Sequence, residues 1–319
     1  MNYDVEADWQ LLNTCNYRCD YCFFSEETLG EKLRVFATPD EWAAAFEATG
    51  LRWLLHMTGG EPSAYPGFVD LCERLSRRHL LSINSNMTNK SWEDFAKRID
   101  PKRVSFINAG LHVVERAQRS GNAAYLKHVR LLHEAGFHVM ASLVATPEAL
   151  SRFEEAIDLL APIRMFPIPK LLRDYSLKGK WYPGAYSAAE RKMFRGYADA
   201  ARSFYRPALM KRSEPPTLNM FDDDAELHGT PNYRGISCNA GRLFFKIEPN
   251  GDVVRCGPSR SYGNLLKGTF FREQQSSPCD SNYCFYFCEK YSEKQPPIRA
   301  LYRSLRAVGR EVRDAVLQK

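Results

Sequence analysis

The sequence predicts an α/β protein organised around a parallel sheet. Between residue 8 and about residue 170, short apolar runs alternate with segments of helical periodicity. The candidate strands are Trp9–Leu12, Trp53–Met57, Leu80–Asn84, Arg103–Ile107, His138–Ala145 and Arg164–Ile168. Strands separated by helices of this length form right-handed βαβ units, and such units give a parallel sheet. A partial barrel and a doubly wound layer both satisfy this pattern, and the residues alone do not distinguish them.

Several helix ends are recognisable in the same region. Thr38 and Glu41 have the spacing of a capping box ahead of an apolar stretch, and Gly50 is expected to end that helix. Ser91 is expected to open a second helix, and Gly136 to close a third. These ends divide the region into alternating strands and helices of ordinary length.

The composition is that of an ordinary globular protein. The chain has 319 residues, of which 44% are hydrophobic and 26% charged, and its net charge is +6. No run approaches the ~20 apolar residues that span a bilayer, and the N-terminus lacks the basic and apolar regions of a secretory signal. We therefore expect a cytoplasmic protein that binds neither membrane nor nucleic acid. The basic C-terminal segment has Leu301, Leu305, Val308 and Val312 at helical spacing, which predicts an amphipathic helix.

The nine cysteines are clustered along the chain. Three lie between Cys15 and Cys22, and five lie between Cys238 and Cys288. Cys72 stands apart in a helical pattern, where we expect it in the core. In a cytoplasmic chain, clustered cysteines indicate metal binding or catalysis rather than disulfides. The clustering therefore predicts two metal sites.

The first cluster follows the first candidate strand directly. Cys15, Cys19 and Cys22 have the spacing C-x3-C-x2-C. Three thiolates on one loop can bind three irons of a cubane and leave the fourth iron open to another ligand. The alternative is a zinc site completed by a distant ligand such as His56 or His79, although zinc motifs usually come as paired C-x2-C units.

With an aromatic residue before its last cysteine, this motif resembles the signature of the radical S-adenosylmethionine (SAM) superfamily. The resemblance implies a partial (β/α)6 barrel and a [4Fe–4S] cluster whose open iron chelates SAM. It also implies reductive cleavage of SAM to a 5′-deoxyadenosyl radical, which abstracts a hydrogen atom from the substrate. A reducing partner such as flavodoxin or ferredoxin would supply the electron.

Further positions match the same family in the expected order. A Gly-Gly-Glu motif ends the second candidate strand, as does the family motif that holds the SAM amino group. Polar residues end the third and fourth strands, and strand C-termini are where barrel sites lie. His112 follows in a loop where relatives carry a polar residue that faces the substrate. The SAM-binding residues implied by the resemblance are Tyr21, Gly59, Gly60, Glu61, Asn84, Ser85 and Asn108.

The second cluster surrounds a predicted hairpin. Cys238 precedes the hairpin and Cys256 follows it, with a strong Asn-Gly turn signal between them. This element resembles the SPASM or twitch extension of radical SAM enzymes, and the cysteine number suits the twitch form with one auxiliary [4Fe–4S] cluster. Cys279, Cys284 and Cys288 follow, without the C-x2-C pair typical of twitch domains. Which two of them complete the cluster stays open, and a zinc ribbon is the alternative.

A cluster with four thiolate ligands leaves one of the five C-terminal cysteines without a metal-binding role. A spare thiol could donate a hydrogen atom to a substrate radical, as in radical epimerases, or it could be a buried structural thiol. The candidates for this catalytic role are Cys256, Cys279, Cys284 and Cys288.

The composition and motifs divide the chain into four parts. Residues 1–170 form the predicted core, and residues 171–235 form a bridging, substrate-side segment rich in Tyr, Pro, Arg and Trp. Residues 236–295 form the predicted auxiliary-cluster domain, and residues 296–319 the C-terminal helix.

The resemblance implies hydrogen abstraction from an unactivated C–H bond. We expect epimerisation or dehydrogenation of a small carbohydrate-type metabolite or natural product, with aromatic faces from Tyr175, Trp181, Tyr182 and Tyr186. The first alternative is a radical SAM peptide maturase, although the first candidate strand begins close to Met1, which argues against a preceding peptide-binding domain. The alternative of another class is a non-catalytic, metal-stabilised binding protein.

Overall fold

One large sheet organises the described part of the chain, which comprises residues 2–172, 175–210, 227, 232–256, 260–282, 284 and 291 of this computed structural model. Six strands lie in chain order, and each pairs in parallel with the next. They are β1 (Val5–Leu12), β2 (Trp53–Gly59), β3 (Leu80–Ser85), β4 (Val104–Gly110), β5 (Val139–Val144) and β6 (Pro167–Lys170). A doubly wound sheet reverses its strand order at a switch point, whereas this order does not reverse. The predicted partial (β/α)6 barrel is therefore confirmed.

Helices connect these strands. They are α1 (Glu26–Gly30), α2 (Pro39–Ala48), α3 (Phe68–Ser76), α4 (Ser91–Arg98), α5 (Val113–Arg119), α6 (Ala123–Glu134), α7 (Pro147–Ser151) and α8 (Phe153–Leu160). The predicted capping box of α2 is present, since Thr38 N donates to Glu41 Oε2 at 2.7 Å. The predicted start of α4 is confirmed. Ser91 is the first helical residue, and its backbone N–H donates to the side chain of Asn89 at 3.0 Å.

Alternation along β1 separates an apolar outer face from a polar inner face. On the outer side, the Trp9 ring packs edge-on against Trp42 of α2, with ring centroids 4.8 Å apart. Burial of such large apolar side chains contributes about 1.5–3 kcal/mol each. Cys72 of α3 is fully buried in the same core, as predicted. The inner face of β1 carries three buried polar side chains: Glu6, Asp8 and Gln10.

The predicted C-terminal hairpin is present and extends the barrel sheet. Its strands are β10 (Phe244–Ile247) and β11 (Asp252–Val254), followed by β12 (Ser261–Asn264). Gly251 occupies the turn at φ 86°, a conformation that favours glycine. Strand β10 pairs in parallel with β1, which places Lys246 opposite Asp8. The hairpin therefore brings a charged side chain to the inner face of the barrel.

The segment after β6 contains a long helix that the sequence pattern did not predict. A short hairpin, β7 (Tyr175–Leu177) and β8 (Lys180–Tyr182), precedes α9 (Ala188–Met210). Ser187 and Glu190 form a capping box at its start, with bonds of 2.7 and 3.2 Å. That Ser-x-x-Glu pattern was the available sequence signal. The predicted C-terminal helix lies outside the described residues, and no helix among those described is long and apolar enough to cross a membrane.

Candidate functional site

A cavity of about 400 Å³ lies at the carboxyl ends of the barrel strands. Cys15, Cys19 and Cys22 all line it, and so do Gly60 and Glu61 at the end of β2. The loop after β1 and the end of β2 meet here because parallel strands end at the same edge of a sheet. The structure thus brings the first cysteine cluster and the Gly-Gly-Glu motif to one cavity.

Hydrogen bonds to the main chain hold the cysteine loop. Arg18 Nη1 donates to the carbonyl oxygens of Cys15 at 2.6 Å and Tyr17 at 2.7 Å. The backbone N–H of Arg18 donates to Glu115 at 3.0 Å, which ties the loop to α5. Burial raises the pKa of Cys15 to about 11 and that of Cys19 to about 12. Metal binding at these thiols must therefore release protons.

The donor set fits an iron–sulfur cluster better than a single zinc ion. Among the residues that the structure describes, no three His, Cys, Asp or Glu side chains are arranged to share one metal ion. A cubane instead needs each thiolate on a separate iron. His56 bonds Glu6 at 2.7 Å, and His79 Nδ1 accepts from Trp53 N at 3.3 Å. Because neither histidine lines the cavity, the zinc alternative completed by them is wrong.

Gly59 and Gly60 allow the end of β2 to lie directly on the chain that leads to Cys15. A Cβ at Gly59 would lie 2.3 Å from the carbonyl oxygen of Leu12, and a Cβ at Gly60 would lie 2.1 Å from that of Thr14. Gly60 N donates to Leu12 O at 2.8 Å. The two glycines are therefore required by backbone packing, besides any contact with a cofactor.

Glu61 is buried, and one of its two carboxylate oxygens, Oε2, accepts a single hydrogen bond from the residues described. Its Oε1 accepts from Ser63 N at 3.1 Å, Ser63 Oγ at 2.6 Å and Ser85 Oγ at 2.7 Å. Its Oε2 accepts from Asn86 N at 2.7 Å. Burial raises the pKa of this carboxyl, and these hydrogen bonds oppose the shift. Oε2 has capacity for another donor from the cavity side.

The polar residues at the ends of β3 and β4 differ in what they do. The Ser85 hydroxyl is used to orient Glu61, while Asn84 lines the cavity. Asn108 Nδ2 donates to Asn84 Oδ1 at 2.8 Å, so Asn108 orients its neighbour. Asn86 Nδ2 donates to Asn16 Oδ1 at 2.7 Å and so reaches the cysteine loop.

His112 contacts the cysteine loop from the start of α5. Its Nδ1 lies 2.8 Å from the Tyr21 hydroxyl and 3.5 Å from Cys19 Sγ. The rings of His112 and Tyr21 are stacked, with centroids 6.1 Å apart. Burial, with a smaller effect from the Arg116 charge, lowers the pKa of His112 to about 3. A neutral imidazole therefore lies beside the thiols at pH 7.

Sequence reasoning missed the inner wall of the cavity, formed by Asp8, Gln10 and Lys246. Thr58 Oγ1 donates to Asp8 at 3.0 Å, and burial raises the pKa of Asp8. Lys246 Nζ lies 2.6 Å from Glu248. The sequence signal for this wall was the alternation of polar residues along β1, which is visible once the strand is assigned.

The structure also gathers the C-terminal cysteines that it describes. Cys238 ends β9 (Ser237–Cys238), which pairs with β13 (Ser277–Pro278) immediately before Cys279. Burial, with smaller contributions from the Cys256 and Cys284 thiols, raises the pKa of Cys238 to about 11. The same two thiols act on Cys279, whose pKa burial also raises. Cys288 lies outside the described residues.

The prediction that aromatic side chains of the segment after β6 face a sugar substrate is wrong for Tyr182 and Tyr186. Tyr182 and Tyr186 are buried and pack against each other, with ring centroids 4.7 Å apart. The Tyr186 hydroxyl accepts from Leu172 N at 3.1 Å and donates to Ala145 O at 2.7 Å. Trp181 is exposed, and the Tyr175 side chain lies outside the described part of the chain. Tyr182 and Tyr186 therefore stabilise the segment after β6.

We expect Tyr186→Phe to lower the free energy of unfolding by about 1–3 kcal/mol, because it leaves a buried N–H and a buried carbonyl without a partner. Urea denaturation measures this loss. Trp181→Phe, at an exposed position of the same segment, is the control and should change stability by less than about 0.5 kcal/mol. Equal stability of the two variants would refute the structural role of Tyr186.

The fold and the site define a class: a parallel partial barrel with a three-cysteine loop at its carboxyl edge. The sequence profile of the Radical SAM superfamily matches residues 9–160. SuiB of Streptococcus suis bound to S-adenosylmethionine is similar, with a TM-score of 0.55, 16% identity, and coverage of 83% of this chain and 64% of SuiB. So is anSMEcpe with bound AdoMet, with a TM-score of 0.56, 15% identity and coverage of 84% and 80%. Residues 9–160 therefore form a radical SAM superfamily domain.

Curated relatives match a shorter part of the chain. The GTP 3′,8-cyclase of Pseudomonas savastanoi pv. phaseolicola is 26% identical over 155 residues, which cover 41% of this chain and 46% of the cyclase. That of Caulobacter vibrioides is 33% identical over 110 residues, which cover 32% and 31%. The matched segments thus span less than half the length of these relatives.

Proposed function

We propose that this protein cleaves SAM reductively and abstracts a hydrogen atom from a polar substrate held inside the barrel. The observation that carries the proposal is one cavity lined both by the three-cysteine loop and by the polar inner wall. When bound there, a [4Fe–4S] cluster and SAM would supply a 5′-deoxyadenosyl radical. The substrate would lie toward Asp8 and Lys246, on the inner wall of the same cavity.

The residues of the cavity have distinct proposed roles. Cys15, Cys19 and Cys22 bind iron, and the spare acceptor capacity of Glu61 Oε2 receives the SAM ammonium group. Hydrogen bonds from Ser63, Ser85 and Asn86 fix that carboxylate in place. The proposed SAM-binding residues that line the cavity are Tyr21, Gly59, Gly60, Glu61, Asn84 and Ser85, and Asn108 would act through Asn84, which it orients.

We also propose an auxiliary [4Fe–4S] cluster of the twitch type on Cys238, Cys256, Cys279 and Cys284. The mutual electrostatic influence of these thiols supports a shared site. Cys288 is then the spare thiol, and a hydrogen atom donor if the reaction is an epimerisation. The alternative at this second site, a zinc ribbon, would require several of these thiols to share one ion, an arrangement that is absent among the described residues.

For the substrate, we favour a carbohydrate-type metabolite, which would be epimerised or dehydrogenated. In a dehydrogenation, the substrate radical would lose a proton and pass its electron to the proposed auxiliary cluster. Asp8, Gln10 and Asn84 offer the carboxylate and amide groups that bind several hydroxyls at once. A peptide is the second candidate, because similar folds include SuiB bound to its precursor peptide SuiA. That structure covers 84% of this chain at a TM-score of 0.54.

The experiment combines metal analysis with a substrate panel. Anaerobic reconstitution should give about eight irons per chain, and Cys238→Ala/Cys256→Ala should give about four. With SAM and dithionite, nucleotide sugars or aminoglycosides should increase 5′-deoxyadenosine formation more than short peptides do. A larger increase with peptides would overturn the carbohydrate assignment, and a chain that binds only zinc would overturn the entire proposal.

Reaction in D2O separates the two reaction types. Epimerisation should give a product of the substrate's composition that contains one deuterium, and Cys288→Ala should abolish that incorporation. Dehydrogenation should give a product two hydrogens lighter, without deuterium at carbon.

A further inference from the structure

Arg255 is a buried arginine beside the C-terminal cysteines. It follows β11 directly, precedes Cys256, and is only 1% exposed. Long charged side chains are almost never buried to this extent without a partner. The groups that contact the guanidinium therefore indicate the role of its positive charge.

The guanidinium group joins the segments that carry three of the cysteines. Its Nε donates to Ala240 O at 2.9 Å, two residues after Cys238. Its Nη1 donates to Pro278 O at 2.7 Å and its Nη2 to Ser277 O at 2.8 Å, directly before Cys279. Since Cys256 is the next residue in the chain, one side chain fixes the relative positions of all three thiols.

These hydrogen bonds pair the donors of Arg255 with neutral carbonyl oxygens. Among the described residues, no carboxylate lies within ion-pair distance of it, and its charge reaches Glu273 only from farther away, where it helps to lower the pKa of that carboxyl. The carboxylate of Glu273 accepts instead from Tyr262 at 2.7 Å, Ser277 at 2.7 Å and Arg260 at 3.1 Å. A buried charge that is not compensated destabilises the folded state. A metal centre with several thiolate ligands carries net negative charge and would provide that compensation.

We infer that Arg255 is the counter-cation of the metal–thiolate centre at Cys238, Cys256 and Cys279, and that it positions these ligands. The inference rests on the proposed auxiliary cluster. A positive charge beside the cluster stabilises its more negative, reduced state and so raises the reduction potential. The forked hydrogen bonds hold together the backbone segments that carry the three thiols.

The test uses the whole 319-residue chain with Cys15→Ala/Cys19→Ala/Cys22→Ala, so that only the C-terminal cluster is observed. Iron and sulfide content report assembly, and an EPR-monitored redox titration gives the potential. Arg255→Gln should lower the potential by at least 59 mV, which is a tenfold change in the one-electron equilibrium. Arg255→Lys keeps the charge but loses the fork, so it should lower the iron content and leave the potential of the loaded fraction close to the parent. Arg242→Gln removes a charge from the same part of the chain and should change neither.

Each result bears on a separate claim. If Arg255→Gln loads iron and its potential equals that of Arg242→Gln, the inference is overturned. If Arg255→Gln does not fold or loads no iron, Arg255→Lys decides, because a shift of 59 mV in its loaded fraction contradicts a role of charge. If the parent binds no iron at all, the auxiliary cluster itself is refuted, whatever the Arg255 variants do.

Discussion

The triple variant Cys15→Ala/Cys19→Ala/Cys22→Ala is expected to lose about four irons per chain and all formation of 5′-deoxyadenosine. These thiols line the same cavity as Gly60 and Glu61. Without them, the cavity has no iron ligands to hold the cluster that SAM requires. Iron analysis and chromatography of the anaerobic reaction measure the two losses.

Cys72→Ala is the matched control. Cys72 is a fully buried thiol of the same domain, and it packs in the core away from the cavity. Its removal should leave the iron content and 5′-deoxyadenosine formation unchanged. Residual SAM cleavage by the triple variant, or loss of iron on replacing Cys72, would contradict the assignment of the first cluster.

Gly60→Ala is expected to destabilise the protein and to reduce iron loading. The new Cβ would lie 2.1 Å from Thr14 O and 2.3 Å from Asn13 O, and these backbone atoms cannot move without displacing the loop. Overpacking of this kind costs about 1–3 kcal/mol. Because Thr14 directly precedes Cys15, the displacement also moves a proposed iron ligand. Urea denaturation and iron analysis measure both effects.

Gly196→Ala provides the control for this substitution. Gly196 lies within α9, and a Cβ there meets nothing within 4 Å. Alanine in a helix interior is more stable than glycine by about 0.5–1 kcal/mol, so this variant should be slightly stabilised and should load iron normally. A Gly60→Ala variant as stable and as iron-rich as Gly196→Ala would refute the proposed docking of β2 on the cysteine loop.

Hydrophobic periodicity and helix-capping signals determined how much of the barrel could be predicted from the sequence alone. The apolar run at Trp53–Met57 lies within β2, and the Thr38–Glu41 capping box is present in α2. The strand order was not predictable from periodicity, because it depends on long-range pairing such as that of Leu54 with Leu80. The strand order was predicted instead from the resemblance of the three-cysteine motif to the radical SAM signature.

The inner wall of the cavity could not be predicted because it is assembled across the sheet. Asp8 and Lys246 are far apart in the sequence and become neighbours only when β10 pairs with β1. Arg255 is similar, since its acceptors Ala240 and Ser277 lie in segments that are far apart in the sequence. Helix α9 was missed for a local reason. Its Ser187–Glu190 capping box stands in a segment whose Tyr, Pro and Trp content suggested irregular structure.

The most direct test of the central claim is EPR spectroscopy of the reduced, reconstituted protein before and after addition of SAM. A three-thiolate cluster with an open iron should change its spectrum when SAM binds, and 5′-deoxyadenosine should then accumulate. Cys238→Ala/Cys256→Ala should retain both responses, because the SAM-binding cluster is intact. An unchanged spectrum with no 5′-deoxyadenosine would contradict the account.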